Sequence, residues 1–373
     1  MNQDQLDRYY MQMALDEAVK GRGWTNPNPM VGAVIVKDGQ VIAKGYHHRC
    51  GQGHAEVEAF RAAGDRDVSG ATMYVTLEPC SHYGKTPPCA DKIVEKKIGR
   101  VVVAALDPNP LVAGRGISRI REAGIEVVTG VMAEESIALN EIFMHYIVDK
   151  QPYVLYKSAM SLDGKICTAG GESQWISCEE SRVEVQALRH QYMAIMVGAG
   201  TVLADDPRLT CRIPGGKNPI RVIVDSSLRV PLTAGVVATA REIPTIFACT
   251  PKADPERIAA FEAAGVQVLI LPEDEDGHTD LKKLKDALGQ QQIDSILLEG
   301  GGCLADAAFR AGIINKVMFY IAPAVIGGKG ALTPVEGAGI ASLKEKVALT
   351  DLQVRKVGCD LCVTALVEPQ ERN

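Results

Sequence analysis

His54-Ala55-Glu56, followed by Glu78-Pro79-Cys80-Ser81-His82-Tyr83-Gly84-Lys85-Thr86-Pro87-Pro88-Cys89, decides how the first part of this 373-residue chain is read. One imidazole and two thiols give Zn²⁺ three protein ligands and leave its fourth tetrahedral position for water. Glu56, two residues after the histidine, is a carboxylate that need not touch the metal. Gly53 precedes an apolar-periodic run, which predicts a helix over 54–63 with His54 and Glu56 in its first turn. Residues 71–77 have strand composition and deliver Cys80, and a short helix is predicted over 89–97. Helices starting near His54 and Cys89 would aim their positive ends at the site, favouring thiolate and hydroxide there.

His-x-Glu followed by Pro-Cys and a second cysteine is the pattern of zinc-dependent nucleobase deaminases, where it runs P-C-x-x-C. Here eight residues separate Cys80 from Cys89, a wider spacing that needs an explanation. Zinc lowers the pKa of a bound water to about 7, and Glu56 can then carry protons between that water and a substrate ring. Two other arrangements stay open on the residues alone. His82 could close the site as a fourth, structural ligand, and Cys50, one turn before the helix, competes more weakly for a ligand place.

The rest of the composition narrows the class. A net charge of −6, a pI near 5.7 and 5% aromatic residues give neither the basic face nor the stacking platforms of a nucleic-acid binder. Residues 1–8 are polar and lack a signal-peptide core, and no run of about 18 apolar residues predicts a membrane span. Ten cysteines without a secretory signal indicate reduced thiols and metal ligands, hence a cytoplasmic protein.

Helices alternate with β-branched strands along the whole chain, which argues an α/β layered fold. A helix over 4–20, a hairpin around Lys37-Asp38-Gly39-Gln40, and a closing helix over 133–148 bracket the first half. Asp149-Lys150-Gln151-Pro152 marks the expected boundary, giving domains 1–149 and 150–373. In the second half, strands are predicted at 153–159, 194–197, 220–224, 244–248, 266–271, 293–298, 317–321, 352–357 and 361–367. Helices are predicted at 178–190, 255–264, 280–288 and 303–311.

Three clusters stand out in that half. They are the Lys157–Lys165 segment continued by Gly171-Glu172-Ser173-Gln174-Trp175-Ile176-Ser177, the Gly198–Arg212 segment, and Leu298-Glu299-Gly300-Gly301-Gly302 leading into a helix. A strand that delivers glycines to a helix amino terminus makes a phosphate cradle, although a tight strand-to-helix turn accounts for the glycines equally well. The run is not the G-x-G-x-x-G dinucleotide fingerprint. Arg189 and Arg212 suit a phosphate clamp or a solvated surface. Cys359 and Cys362 have C-x-x-C spacing within a strand pattern, which points them to opposite faces and away from a metal or redox role.

Asn26-Pro27-Asn28-Pro29-Met30-Val31-Gly32, the histidine motif and the wide cysteine motif together resemble the deaminase half of the bifunctional riboflavin-biosynthesis deaminase/reductase family. The three later clusters resemble its reductase half, so the resemblance runs nearly end to end, and the wide cysteine spacing is the family's own. It implies a cytidine-deaminase-like three-layer N-terminal domain and a dihydrofolate-reductase-like C-terminal domain. His54, Cys80 and Cys89 would hold Zn²⁺, with Glu56 as catalytic proton shuttle and Asn28, His47 and Lys85 as substrate contacts. NADPH would lie against Gly301, Gly302, Cys303, Leu304, Ala305, Asp306 and Ala307, lined by Ala159, Trp175, Thr201, Asp205 and Ser226. Ser173, Arg189, Leu209, Arg212 and Glu299 would hold the ribosylamino-pyrimidine phosphate. Lys157 and Asp205 both remain as proton sources, Ser226 and Arg229 as partners for a 2′-phosphate, and a homo-oligomer, dimer or tetramer, is implied.

Two readings compete with a deaminase/reductase acting on a phosphorylated small molecule. A nucleic-acid-editing deaminase with an accessory domain is opposed by the acidic charge balance. A non-enzymatic zinc-stabilised binding module would leave Glu56 without a task.

Overall fold

The β-branched runs of the first half form a sheet that is buried on both faces, and this is why they read as continuous apolar segments. We describe the fold from a computed structural model that covers residues 1–81, 87–109 and 113–368. The first sheet contains β1 (Gly32–Lys37), β2 (Gln40–Tyr46), β3 (Thr72–Leu77), β4 (Arg100–Ala105) and β5 (Glu126–Thr129), in the order β2-β1-β3-β4-β5. β1 pairs antiparallel with both β2 and β3, whereas β3, β4 and β5 run parallel.

Alternate side chains of these strands serve two separate cores. Ala33, Ile35, Met73, Val75, Val101 and Val103 pack against α2 (Ala55–Ala63), α3 (Cys89–Glu95) and α4 (Arg115–Glu122). Val34, Val36, Tyr74, Val102 and Ala104 face α1 (Gln3–Val19) and the end of α5 (Ala133–Leu139). A helix, sheet, helix sandwich of three layers results. Ile93 on α3 and Ile120 on α4 are fully buried, each worth about 1.5–3 kcal/mol removed from water. Helices this short are marginal by themselves, so packing holds them. On the other face, Arg100 donates a fork of two 2.8 Å hydrogen bonds to the buried carboxylate of Asp7, which also accepts from Tyr74. That cluster pins α1 to β3 and β4.

The expected helix over 133–148 is two helices, α5 and α6 (Glu141–Asp149), broken at Asn140. The reason is physical. The buried Asn140 amide acts as a backbone partner for Met30, accepting from its N–H at 2.8 Å and donating to its carbonyl at 3.0 Å. It thereby fixes the Asn28-Pro29-Met30 loop.

The second sheet has nine strands, β6 (Tyr153–Ser161), β7 (Ala194–Gly198), β8 (Ile220–Val224), β9 (Thr245–Cys249), β10 (Gln267–Ile270), β11 (Ser295–Leu298), β12 (Lys316–Ala322), β13 (Leu349–Val357) and β14 (Asp360–Val367). Their order is β10-β9-β8-β7-β11-β6-β12-β14-β13, parallel from β10 through β12 and antiparallel at the last two pairings. One face is covered by α11 (Leu281–Gln290) and α12 (Gly302–Arg310). The other is covered by α8 (Ala199–Asp205), α9 (Gly235–Ala238) and α10 (Pro255–Ala263), with α7 (Glu179–Gln191) placing Val185 against Tyr320 and Cys362. α8 and α9 are additional to the sequence expectation. The Gly198 and Gly200 pair and its brevity leave α8 no readable period.

The chain divides into two compact units, Met1–Lys150 and Gln151–Asn373. Among the described residues, no helix is long and apolar enough to cross a membrane.

Candidate functional site

His54 caps the amino end of α2 with extended backbone, so its imidazole projects over the first turn where Glu56 also lies. Cys80 arrives on the segment that leaves β3, and Cys89 opens α3. Nδ1 of His54 lies 3.5 Å from Sγ of Cys80 and 3.4 Å from Sγ of Cys89. With Zn–N near 2.05 Å and Zn–S near 2.3 Å, tetrahedral coordination sets nitrogen and sulfur about 3.6 Å apart. The donor atoms therefore stand at the separations a zinc ion requires, and the site keeps room for a fourth ligand. Cys50 is exposed and not among the converging atoms. His82, the alternative fourth ligand, and Lys85, an expected substrate contact, lie outside the described residues.

The electrostatics of the protein groups suit a cation. A hydrogen bond from the Cys89 thiol pulls the Cys80 thiol down, while the same contact and burial push Cys89 up. The Cys89 backbone N–H, at the start of α3, donates to Cys80 Sγ at 3.3 Å. The hydrogen bond with Cys80 raises His54 to about 9 against the effect of burial. Burial raises Glu56 to about 7, opposed by the charge of His54. Such a carboxyl holds or releases a proton near neutral pH, as a general acid-base group must.

A cavity of about 240 Å³ opens beside these groups, lined by Asn28, His47, Glu56, Glu78, Asp107, Asn109 and Phe143 among others. His47 donates from Nδ1 to the Gly53 carbonyl at 3.0 Å, which leaves Nε2 to accept from Asn28 Nδ2 at 3.2 Å. Burial lowers the His47 pKa, so the ring stays neutral and Asn28 is held with its carbonyl turned to the cavity.

Glu78 opens the cysteine motif, but motif reading gave it no task. Its buried carboxylate accepts from the N–H groups of Gly114 and Gly116 at 3.0 Å and of Asp107 and Ile117 at 3.4 Å. It gathers the orphan donors at the start of α4 two residues before Cys80. A Cβ on Gly116 would stand 1.9 Å from the Pro79 carbonyl, so only glycine lets α4 approach this segment.

The second unit has a cleft of about 300 Å³ at the carboxyl ends of β6, β7 and β11. β7 feeds α8 on one face of the sheet and β11 feeds α12 on the other. Adjacent parallel strands whose helices depart to opposite faces open a crevice for ligands. Lys157, Ala159, Ser173, Trp175, Arg189, Thr201, Asp205, Arg212, Glu299 and Gly301 all line it. Arg189 donates a fork to Glu299, Nε to Oε1 at 2.9 Å and Nη2 to Oε2 at 3.0 Å, and a third hydrogen bond to the Thr210 carbonyl. Burial would raise the Glu299 carboxyl, but the charges of Arg189 and Lys157 hold it at about 2. Lys157 sits 4.0 Å from the same carboxylate, its pKa lowered by burial, whereas Asp205 is exposed.

Gly301 caps α12, so the helix presents its amino end to the cleft. A Cβ on Gly302 would come within 2.7 Å of the Thr333 carbonyl and 2.3 Å of the Glu336 side chain, whereas one on Gly301 would touch nothing closer than 3.7 Å. The glycine run thus serves tight packing at Gly302 and an open backbone approach at Gly301, the fit expected for an anionic cofactor. Cys303 is exposed along the same turn, Leu304 and Ala307 are half-buried, Ala305 is fully buried, and Asp306 accepts from Arg310.

Two expected contacts stand elsewhere. Leu209 is 3% exposed with φ of 52°, its side chain in the core with Ile223 and Val230, so the side chain does not reach the cleft. Ser226 pairs its hydroxyl with Thr279 beyond the end of β8, outside the cleft lining, and Arg229 beside it is exposed.

Residues 4–105 match the cytidine and deoxycytidylate deaminase zinc-binding region, and residues 152–363 match the RibD C-terminal domain. The riboflavin biosynthesis protein RibD of Actinobacillus pleuropneumoniae is 50% identical over 361 residues, covering 97% of this chain and 95% of that protein. RibD of Escherichia coli strain K12 is 42% identical, with 96% and 98% covered. A solved structure titled as a diaminohydroxyphosphoribosylaminopyrimidine deaminase/5-amino-6-(5-phosphoribosylamino)uracil reductase from Thermotoga maritima superposes with a TM-score of 0.85 at 35% identity, covering 98% of this chain and 99% of that one.

Proposed function

The chain belongs to the RibD family of riboflavin-biosynthesis proteins, and from that premise we propose how its own residues divide two successive reactions. It is a bifunctional enzyme, a zinc-dependent deaminase followed by an NADPH-dependent reductase. The first reaction hydrolyses the ring amino group of 2,5-diamino-6-ribosylamino-4(3H)-pyrimidinone 5′-phosphate. The second reduces the ribosyl chain of the uracil product to ribityl. The observation that carries the first assignment is the set of His54, Cys80 and Cys89 donor atoms at zinc separations with the Glu56 carboxyl beside them.

His54, Cys80 and Cys89 would hold Zn²⁺, which supplies an activated water at neutral pH. Glu56 takes the proton released from the attacking water and returns it to the departing amino group. Asn28, fixed by His47, directs its amide oxygen to the pyrimidine, and Lys85 supplies positive charge for the phosphate. Phe143 and Leu77 provide apolar walls that exclude competing water.

In the second unit, Gly301 to Ala307 at the head of α12, with Ala159, Trp175, Thr201 and Asp205, would hold NADPH, which supplies the hydride. Arg212, with its charge exposed at the cleft mouth, meets the substrate 5′-phosphate as a planar donor. Glu299 stays ionised against Arg189 and so acts as an acceptor that orients sugar hydroxyls. Ser173 and Leu209 complete the set, Leu209 through its backbone. Ten free cysteines and phosphorylated, cofactor-dependent chemistry suit the cytoplasm, and the family resemblance implies a homo-oligomer that acts on a small molecule and not on nucleic acid.

The test supplies each half-reaction separately. Ammonia release from the diaminopyrimidinone phosphate should vanish in Cys89→Ala, while NADPH oxidation with the deaminated pyrimidine persists. Ammonia release at the wild-type rate after that substitution would overturn the site assignment.

A further inference from the structure

We propose that Cys178, Cys359 and Asp360 form a second metal site, in the reductase unit, that takes a thiophilic divalent cation of the Zn²⁺ class. The three residues come from two distant parts of the chain, Cys178 from one and the adjacent Cys359 and Asp360 from the other. Cys178 is the N-cap of α7, and Cys359 is the second residue of the two-residue turn that joins β13 to β14, where Val357 pairs with Asp360. Their ligand atoms, two Sγ and one carboxylate oxygen, all lie within 4.8 Å of one another.

The carboxylate is oriented as a ligand should be. Oδ2 of Asp360 accepts from the Cys178 N–H at 2.8 Å and from Ser181 Oγ at 2.7 Å, which fixes the side chain on the first turn of α7. Oδ1 is left turned toward Cys359 Sγ at 3.6 Å. Holding one carboxylate oxygen so that the other is presented is how outer hydrogen bonds orient metal ligands. Asp360 is fully buried, whereas Cys359 is exposed at the turn tip, so its thiol can rotate and solvent can reach it. Cys178 Sγ is confined between the Val357 carbonyl at 3.3 Å and Ser181 Oγ at 3.4 Å.

Tetrahedral zinc places two sulfurs about 3.8 Å apart and sulfur and oxygen about 3.5 Å apart. The 3.6 Å between Cys359 Sγ and Asp360 Oδ1 is already close to the sulfur–oxygen value, and the exposed Cys359 thiol is free to adjust toward Cys178. Two thiolates select zinc or cadmium over magnesium and calcium. The three anionic ligands exceed the cation by one charge, and the positive end of the 13-residue α7 faces that excess. Glu180 reaches the same turn, because a Cβ on Gly358 would stand 2.6 Å from its carboxylate and 2.9 Å from Cys178 Sγ. It or a water fills the fourth position. An ion here fastens the start of α7, which carries Arg182 and Arg189 of the reductase cleft, to the β13–β14 turn. The site is separate from the deaminase ligands and does not depend on the function proposed above.

The test uses the full chain, kept reduced with a phosphine, loaded with Zn²⁺ and freed of loose metal by gel filtration. Metal analysis should find a second zinc per chain, and Cys359→Ser and Cys178→Ser should each lose one equivalent with ammonia release unchanged. Cadmium titration should show thiolate-to-metal absorbance from four sulfurs, two at each site, and Cys359→Ser should halve it by emptying the second site. A single zinc in the wild type, or the same zinc content after Cys359→Ser, would overturn the proposal.

Discussion

Replacing Glu78 by alanine removes the acceptor for four backbone N–H groups, three at the head of α4 and that of Asp107 just after β4. The Gly114 and Gly116 bonds are 3.0 Å long and the Asp107 and Ile117 bonds 3.4 Å. Hydrogen bonds at the longer distance are weak, so the two short ones set the magnitude. Each bond to a charged acceptor is worth about 1.5–3 kcal/mol, which gives a loss of about 3–6 kcal/mol for Glu78→Ala. Against a typical domain stability of about 5–15 kcal/mol, that is a large fraction. Glu78→Gln keeps one acceptor oxygen and sets an amide N–H against the other donors, so roughly half that loss is expected. Glu78 also precedes Cys80 by two residues, so a loosened α4 should let the thiol drift and weaken zinc binding. Urea unfolding followed by circular dichroism, with chelator competition for zinc, reads both effects, and NADPH oxidation with deaminated substrate serves as the internal control. A Glu78→Gln protein within 0.5 kcal/mol of wild type, with the same zinc affinity, would refute the assignment of this carboxylate as the anchor of the Cys80 segment.

Arg189→Lys replaces a planar fork with a point charge and leaves part of the Glu299 contact and the Thr210 bond unmade. We expect KM for the deaminated substrate to rise about 10–100-fold, an energy of about 1.4–2.7 kcal/mol, with ammonia release unaffected, measured by steady-state kinetics of each half-reaction. Glu299 is held at about 2 in the fold, below the ordinary carboxyl value of 4.5. A depressed folded pKa gives stability that is present above pH 4.5 and lost as pH falls toward 2, on the order of 3 kcal/mol in total. Thermal unfolding of the reductase unit should show that slope in wild type and lack it in Glu299→Gln. Gly302→Ala must displace the Thr333–Glu336 segment or the start of α12, so NADPH affinity measured by fluorescence titration should fall at least tenfold.

Legibility from sequence followed the distance over which residues act. His54, Glu56, Cys80 and Cys89 sit in two short motifs, and the elements that present them begin or end at those motifs, so residue type and order pointed to the metal chemistry, and the family resemblance accounted for the wide cysteine spacing. The alternation of both sheets was readable for the same reason, since strands buried on two faces leave long β-branched runs. The reductase cleft is different. Lys157, Arg189 and Glu299 meet only because β6 and β11 are neighbours and α7 crosses above them, a pairing that no local period encodes. Asn140 and Glu78 looked like ordinary helix and strand-end residues because their roles are to satisfy backbone groups far along the chain. Cys359 was grouped with Cys362 by spacing, yet Cys362 is 1% exposed in the core and the partner of Cys359 is Cys178. Leu209 shows the converse, a motif residue whose side chain packs inward.

On the proposed function, one chain performs two reactions in a fixed order, with Glu56 acting only in the first. The most direct measurement mixes the protein with the diaminopyrimidinone phosphate and NADPH and follows absorbance of the reduced cofactor. Wild type should oxidise NADPH after a lag while deaminated product accumulates. Glu56→Gln should oxidise none, losing about 10²–10⁴-fold in the first step, and should recover the wild-type reductase rate when deaminated product is added. Oxidation of NADPH at the wild-type rate by Glu56→Gln without that addition would contradict the account.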